Sequence, residues 1–417
     1  MKLRIGFGTT PQEVDIPDNL VMDVLKTNQI ELGLIGVEEV KRSLDNPIGT
    51  ERFKDIVNPW EKNVIITSDI TRPVPSYKII PSVLEELYEA GVKKEDIVVV
   101  LALGSHRAHT DEEKLQLLGE RVTNEVRCVD SNENDCVKMG VTNSGTPVDI
   151  FRLVAEADRR ICIGNIEYHY FAGYSGGAKA IFPGVSTSEA IQANHSKMIL
   201  EDAKAGKLEG NPVREDLEEG IKYCPIDFIV NVVLDEKKEI IYSVSGDFIE
   251  AHREGCKFLD KIYKKELKER ADIVIVSQGG APKDLNLYQT QKALDNAKHA
   301  VKDGGIIILV GSCKEGLGNK VFEQWMTQAN SPDDLITRIK ENFKLGGHKA
   351  AAIALVLEKA KIFMVSEMDP KLVESIFMKP FTTVQEAYDD AVRELGNDAK
   401  VLIMPYGGST LPIVRNN

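Results

Sequence analysis

Short uninterrupted runs of Val, Ile and Leu alternate along the chain with longer stretches in which apolar residues recur every three to four positions. Asn63 to Thr67 (NVIIT), Asp96 to Gly104 (DIVVVLALG), Arg159 to Asn165 (RRICIGN), Asp272 to Gly280, Gly305 to Ser312 and Lys361 to Glu367 are runs of the first kind. Their lack of polar alternation predicts strands buried on both faces of a parallel sheet. Between them the spacing predicts helices over Ser76 to Ala90, after Thr110-Asp111-Glu112-Glu113, after Ser186-Thr187-Ser188-Glu189, over Phe248 to Glu269 and over Thr383 to Leu395. The second and third of these open on a Ser or Thr with Glu three residues on, the signature of a capping box. A strand at Leu3 to Phe7 and a hairpin, Phe228 to Leu234 with Glu239 to Val244, complete the reading.

Strand, loop and helix in repeated succession define an α/β protein. At 417 residues the chain exceeds what one core usually covers, so two domains are expected, each a mostly parallel sheet flanked by helices, with the active site in the cleft between them. The expected division is 1–266 for an N-terminal domain, joined by a returning segment 396–417, and 267–395 for a C-terminal domain. A net charge of -13 disfavours nucleic acid and anionic membranes as partners and points to a small molecule. The six Cys form no CxxC pair, which argues against a zinc ribbon, an iron–sulfur site or a disulfide framework. No stretch has the length of a membrane span and MKLRIGFG lacks the apolar core of a signal peptide, so a cytoplasmic location is expected.

Candidate chemistry concentrates between Asn165 and His195, where His169, Gly173, Gly176, Gly177, Lys179, the Pro183-Gly184 turn and His195 share one segment. Lys179 falls on a loop between a strand end and a helix start, and glycines there let backbone approach a ligand and offer N–H groups to an anion. The phosphate loop of nucleotide hydrolases is excluded, because Ala178 and Ala180 stand where Gly and a magnesium-binding hydroxyl are required. A glycine-rich connection with a solvated Lys and two incidental His is the alternative. Two other strand ends carry polar clusters. After Thr67 come Asp69 and Arg72, either an anion clamp or a local pair steadying the turn. After Gly104 come Ser105, His106 and His109, placed for acid–base work or simply solvated. Further on, Gln289 and Lys292 are spaced to share a helix face behind Tyr288, reaching a ligand or solvent.

Together SLDNPIG (43–49), SDITRPVPS (68–76), GSHR (104–107), YHYFAGYSGGAKAIFPG (168–184), ANHS (193–196) and NLYQTQK (286–292) resemble the nickel-dependent lactate racemase family, in order and spacing over nearly the whole chain. The resemblance implies a nickel-pincer nucleotide, a modified nicotinic acid mononucleotide made by separate cofactor-synthesis enzymes, tethered to Lys179. It further implies His195 as the nickel ligand; Asp69, Ile70, Thr71, Arg72 and Pro183 as cofactor contacts; and His106 and His169 as acid–base residues on opposite faces of the substrate carbon. Arg72, Tyr288, Gln289 and Lys292 would hold the substrate. The expected reaction is racemisation of a 2-hydroxy acid, lactate first, by hydride transfer to and from the cofactor. The family carries a basic residue at position 178 and a Trp near 345–352; here Ala178 and, as the stand-in, His348 allow a larger or more polar substrate. A homodimer is left open, as are a zinc-dependent hydrolase and a non-catalytic nucleotide binder.

Overall fold

Two six-stranded sheets carry the chain, each at the centre of its own unit. The computed structural model describes residues 1–415 apart from Pro73 and Ser105, so those two motif positions lie outside the described residues. One unit spans residues 30–261, and the other combines 1–29 with 262–417.

In the 30–261 unit the strand order is Ile240–Gly246, Phe228–Leu234, Arg159–Asn165, Asn63–Ser68, Ile97–Ala102, Arg127–Asp130. All neighbours run parallel except the first pair, the expected hairpin, which is antiparallel. The central strand NVIITS is buried over its first five residues because helices cover both faces, and this is what its unbroken apolar run anticipated. One core joins Ile65, Val99, Leu101, Ile161, Val230 and Val232 of the sheet to Ile79, Val83 and Leu87 of the helix Ser76–Glu89. The capping box at Thr110 and Glu113 forms as expected at the head of Asp111–Glu125.

In the other unit the order is Lys379–Phe381, Lys361–Val365, Val301–Val310, Ala271–Ser277, Val401–Met404, Val21–Val24, parallel throughout. The expected division fails at both ends of the chain. Val401–Met404 does not return to the other sheet; its four buried residues pair in parallel with Ala271–Ser277. It is residues 1–29 that cross over, placing Val21–Val24 at the edge beside Val401–Met404. The helix expected over 248–269 ends at Tyr263, and Lys264–Leu267 forms a strand with Leu411–Val414. All six cysteines are free. Among the described residues no helix is long and apolar enough to cross a membrane.

Candidate functional site

Strands Arg159–Asn165, Asn63–Ser68 and Ile97–Ala102 are adjacent and parallel, so the polar loops after them leave the sheet at one edge. On the central loop Asp69 is 3% exposed. Its Oδ1 accepts from the Thr71 backbone N–H at 3.0 Å and the Thr71 hydroxyl at 2.6 Å, and its Oδ2 bonds His106 Nδ1. Burial works against ionisation, but the His106 and Thr71 hydrogen bonds prevail and hold the carboxyl below its ordinary pKa. The carboxylate thus goes to His106 and Thr71 and fixes the tautomer with the proton on His106 Nδ1. His109 is not solvated: its buried ring meets Asp130 Oδ1 at 2.6 Å through Nδ1 and accepts the Ile70 N–H at 3.1 Å through Nε2. Two His therefore brace one turn. Arg72 is exposed beside them.

The loop after Arg159–Asn165 folds back as the two-residue ladder Tyr168–His169 with Gly173–Tyr174, followed by a 3₁₀ turn, Gly177–Ala180, that carries Lys179. Its glycines serve the protein rather than a ligand. A Cβ on Gly173 would fall 2.0 Å from Lys207 O, and one on Gly176 would fall 2.6 Å from Asn231 Oδ1, both at positive φ. The Gly177 N–H donates to Asn231 Oδ1 at 2.8 Å, so it is not held out for an anion. What this tight frame does is fix Lys179, whose Nζ lies 3.3 Å from His169 Nε2. Phe171 is the hub of the cluster: its ring centroid is 4.5 Å from that of His169, 4.9 Å from that of His195 and 5.8 Å from Lys179 Nζ. Burial, reinforced by Arg214 and Arg72, pushes the Lys179 amine well below its ordinary pKa. Burial, with Lys179 and Arg72 next, does the same to His169.

His195 closes the helix Ser188–His195, with Nδ1 2.9 Å from Asn194 Oδ1. The cap of this helix is Thr187, which accepts from Ala190 N–H; the capping box expected from Ser186 does not form, and the Ser186 hydroxyl is buried without a hydrogen-bond partner. Pro183 is buried and follows a cis peptide bond.

Residue patterns missed two supports of this cluster. Arg214 is fully buried, donating to the carbonyls of Ala172 at 3.2 Å, Gly176 at 3.5 Å and Tyr174. It pins both ends of the Ala172–Gly176 segment that leads to Lys179. Asn231, the one polar residue inside FIVNVVL, was the readable signal for the second.

The other unit holds the remaining candidates. On the helix Leu287–Ala297, Gln289 and Lys292 are exposed, and Tyr288 lies under the Lys349 ammonium, which is 3.9 Å from the ring centroid. His348 is buried in the first turn of Gly347–Leu357 and accepts the Gly346 N–H at 2.9 Å through Nδ1.

Comparison with known proteins finds relatives over nearly the whole chain. Residues 7–206 match the lactate racemase N-terminal domain and residues 267–411 the lactate racemase C-terminal domain. A lactate racemase of Thermoanaerobacterium thermosaccharolyticum is 34% identical over 421 residues, covering 98% of each chain, and one of Lactiplantibacillus plantarum is 35% identical over 380 residues, covering 89% of each. The lactate racemase apoprotein structure from T. thermosaccharolyticum superposes with a TM-score of 0.90 at 33% identity, covering 100% of both chains. A Thermotoga maritima protein shares the fold, with a TM-score of 0.65 at 18% identity over 91% of this chain and 98% of its own. The chain is an isomerase and belongs to the lactate racemase family.

Proposed function

We propose that this enzyme interconverts the enantiomers of a short 2-hydroxy acid, lactate first, with a nickel-pincer nucleotide joined covalently to Lys179. The observation that carries the reading is the Lys179 amine, held well below its ordinary pKa beside His169. An amine must be neutral to form an amide-type bond, and burial, with Arg214 and Arg72 beside it, favours the neutral form of this one. The donor set fits the group as well. Among the described residues no three His, Cys, Asp or Glu gather to hold a metal, so a single imidazole, His195, suits an ion whose other ligands arrive with the nucleotide. Asp69, Ile70, Thr71, Arg72 and Pro183 are its assigned contacts.

When bound, such a nucleotide supplies an electrophilic ring carbon that takes the C2 hydrogen of the substrate as hydride and gives it back. The protein supplies the proton transfers. Asp69 holds the His106 proton on Nδ1 and so presents the Nε2 lone pair to a substrate hydroxyl. His169 has the complementary tautomer: its Nδ1 accepts the Ala172 N–H at 3.2 Å, leaving the proton on Nε2. One base ready to accept and one acid ready to donate are what racemisation in a given direction requires, and the roles exchange for the reverse reaction. Arg72, Tyr288, Gln289, Lys292 and His348 are assigned to the substrate carboxylate and hydroxyl.

The test uses protein produced together with the cofactor-synthesis enzymes. Intact mass and a peptide map are expected to show an adduct on Lys179, metal analysis to show nickel, and enantiopure lactate to racemise. Unmodified Lys179 with racemase activity would overturn the cofactor reading, and an adduct without turnover of lactate would transfer the assignment to another 2-hydroxy acid.

A further inference from the structure

Asp216 lies 3% exposed on the helix Pro212–Gly220 and collects five donors. Oδ1 accepts the hydroxyls of Thr142 at 2.6 Å and of Ser144. Oδ2 accepts the Thr146 hydroxyl at 2.8 Å, the Asn194 amide at 2.7 Å and the Lys197 ammonium at 3.0 Å. These donors saturate the acceptor sites of a carboxylate. Of the five, the Asn194 amide leads to the functional cluster. Its NH₂ group faces only acceptors, Asp216 Oδ2 and the Val213 carbonyl at 3.2 Å. A flipped amide would set its oxygen against both of them, so its orientation is determined. The oxygen therefore faces His195 Nδ1 at 2.9 Å and can only accept.

We infer that Asn194 and Asp216 are positioning residues that hold His195 as the Nδ1–H tautomer, with its lone pair on Nε2. Asn194 is fully buried, so no water competes for its oxygen. The chain from carboxylate through amide to imidazole acts as metal-bound His residues are commonly supported: an outer partner fixes the ring and raises the basicity of the ligating nitrogen. This consequence rests on the reading of His195 as the nickel ligand; the tautomer does not.

The first measurement is a long-range ¹H–¹⁵N correlation on the ¹⁵N-labelled, cofactor-free chain, with pH raised until the His195 ring is neutral and the His195 signal identified by its loss in His195→Ala. The expected result is a protonated Nδ1 and an unprotonated Nε2. Asn194→Ala leaves Asp216 four of its donors, so the fold should persist while His195 gains the Nε2–H form. A neutral wild-type His195 ring that carries its proton on Nε2 instead of Nδ1 overturns the proposal without recourse to any variant, as does an unchanged tautomer in Asn194→Ala. In protein produced with the cofactor-synthesis enzymes, nickel per Lys179 adduct is expected to fall about 10–100-fold in Asn194→Ala. Undiminished nickel in both Asn194→Ala and His195→Ala would overturn the ligand reading and leave the tautomer assignment standing.

Discussion

His169 Nε2 and Lys179 Nζ stand 3.3 Å apart, and the pair is arranged for two neutral groups. Because His169 Nδ1 accepts the Ala172 N–H, the neutral ring carries its proton on Nε2, directed at the amine. The amine can receive it only with its own lone pair, that is, uncharged. Conversion of Lys179 to an amide-type nitrogen removes that lone pair from use, so the same bond that tethers a cofactor would release the His169 proton for the substrate.

This neutrality sets a pH dependence of stability. The His169 pKa is well below its ordinary value in the folded state, so in the window below pH ~6.5 the unfolded chain binds a proton that the folded chain does not. Stability then falls as pH falls, by about 1.4 kcal/mol per pH unit, until the folded ring titrates too. Urea unfolding of wild type and His169→Gln, followed at pH 7.5 and 5.5, is expected to show the larger acid loss for wild type. Equal losses would mean that the folded ring titrates normally.

Asp69→Asn keeps the shape of the loop and removes the charge that fixes the His106 proton. A loss of about 10²–10⁴ in kcat is expected, as for other bases deprived of their orienting carboxylate. His106→Ala and His169→Ala should each abolish racemisation of enantiopure lactate while bound nickel is largely retained. Turnover near the wild-type rate in either would remove that His from the acid–base pair.

The strands that position these residues are legible because burial on both faces removes polar alternation: the run NVIIT, Asn63 to Thr67, predicts the strand Asn63–Ser68 to within one residue. The edge strand Val21–Val24 was not legible. Only half-buried, VMDV gains its strand character from Val401–Met404, nearly four hundred residues away. Lys264–Leu267 carries three charges in four residues and reads as a continuation of the preceding amphipathic helix; its partner Leu411–Val414 decides otherwise. At the site, His106, His169, Lys179 and His195 announce themselves as reactive side chains on one edge. Arg214 does not, because PVREDLEEG has the composition of a solvated helix and nothing local tells its guanidinium from a surface one. The glycines near Lys179 were legible as special, but whether a backbone approaches a ligand or another part of the chain depends on contacts such as Lys207 and Asn231, invisible in the spacing.

Arg214→Leu tests that hidden support in two ways. It takes the guanidinium donor from the carbonyls of Tyr174, Ala172 and Gly176, of which the last two keep the backbone N–H groups of Tyr174 and Lys179, so a loss of about 1–3 kcal/mol is expected. It also removes a positive charge that depresses the Lys179 pKa. Lowered stability should therefore accompany a more basic Lys179, seen as slower cofactor attachment at neutral pH. Arg214→Lys is not expected to rescue, since an ammonium cannot reproduce a planar fork shared among several carbonyls. Full rescue by Lys would show that charge alone matters there.

A part in substrate choice is proposed for His348. Its Nδ1 is committed to the Gly346 N–H, so the neutral ring carries a donor on Nε2, and its centroid lies 5.6 Å from that of Phe343. If that donor meets the substrate, as proposed, acids with a polar group beyond C3 gain a hydrogen bond that lactate cannot make. His348→Phe preserves ring shape and deletes the donor, so kcat/KM for a polar 2-hydroxy acid relative to lactate is expected to fall about tenfold or more, the equivalent of one hydrogen bond. Loss of the Gly346 partner burdens both substrates alike and cancels in the ratio. An unchanged ratio across a panel of enantiopure acids would remove His348 from the substrate contacts.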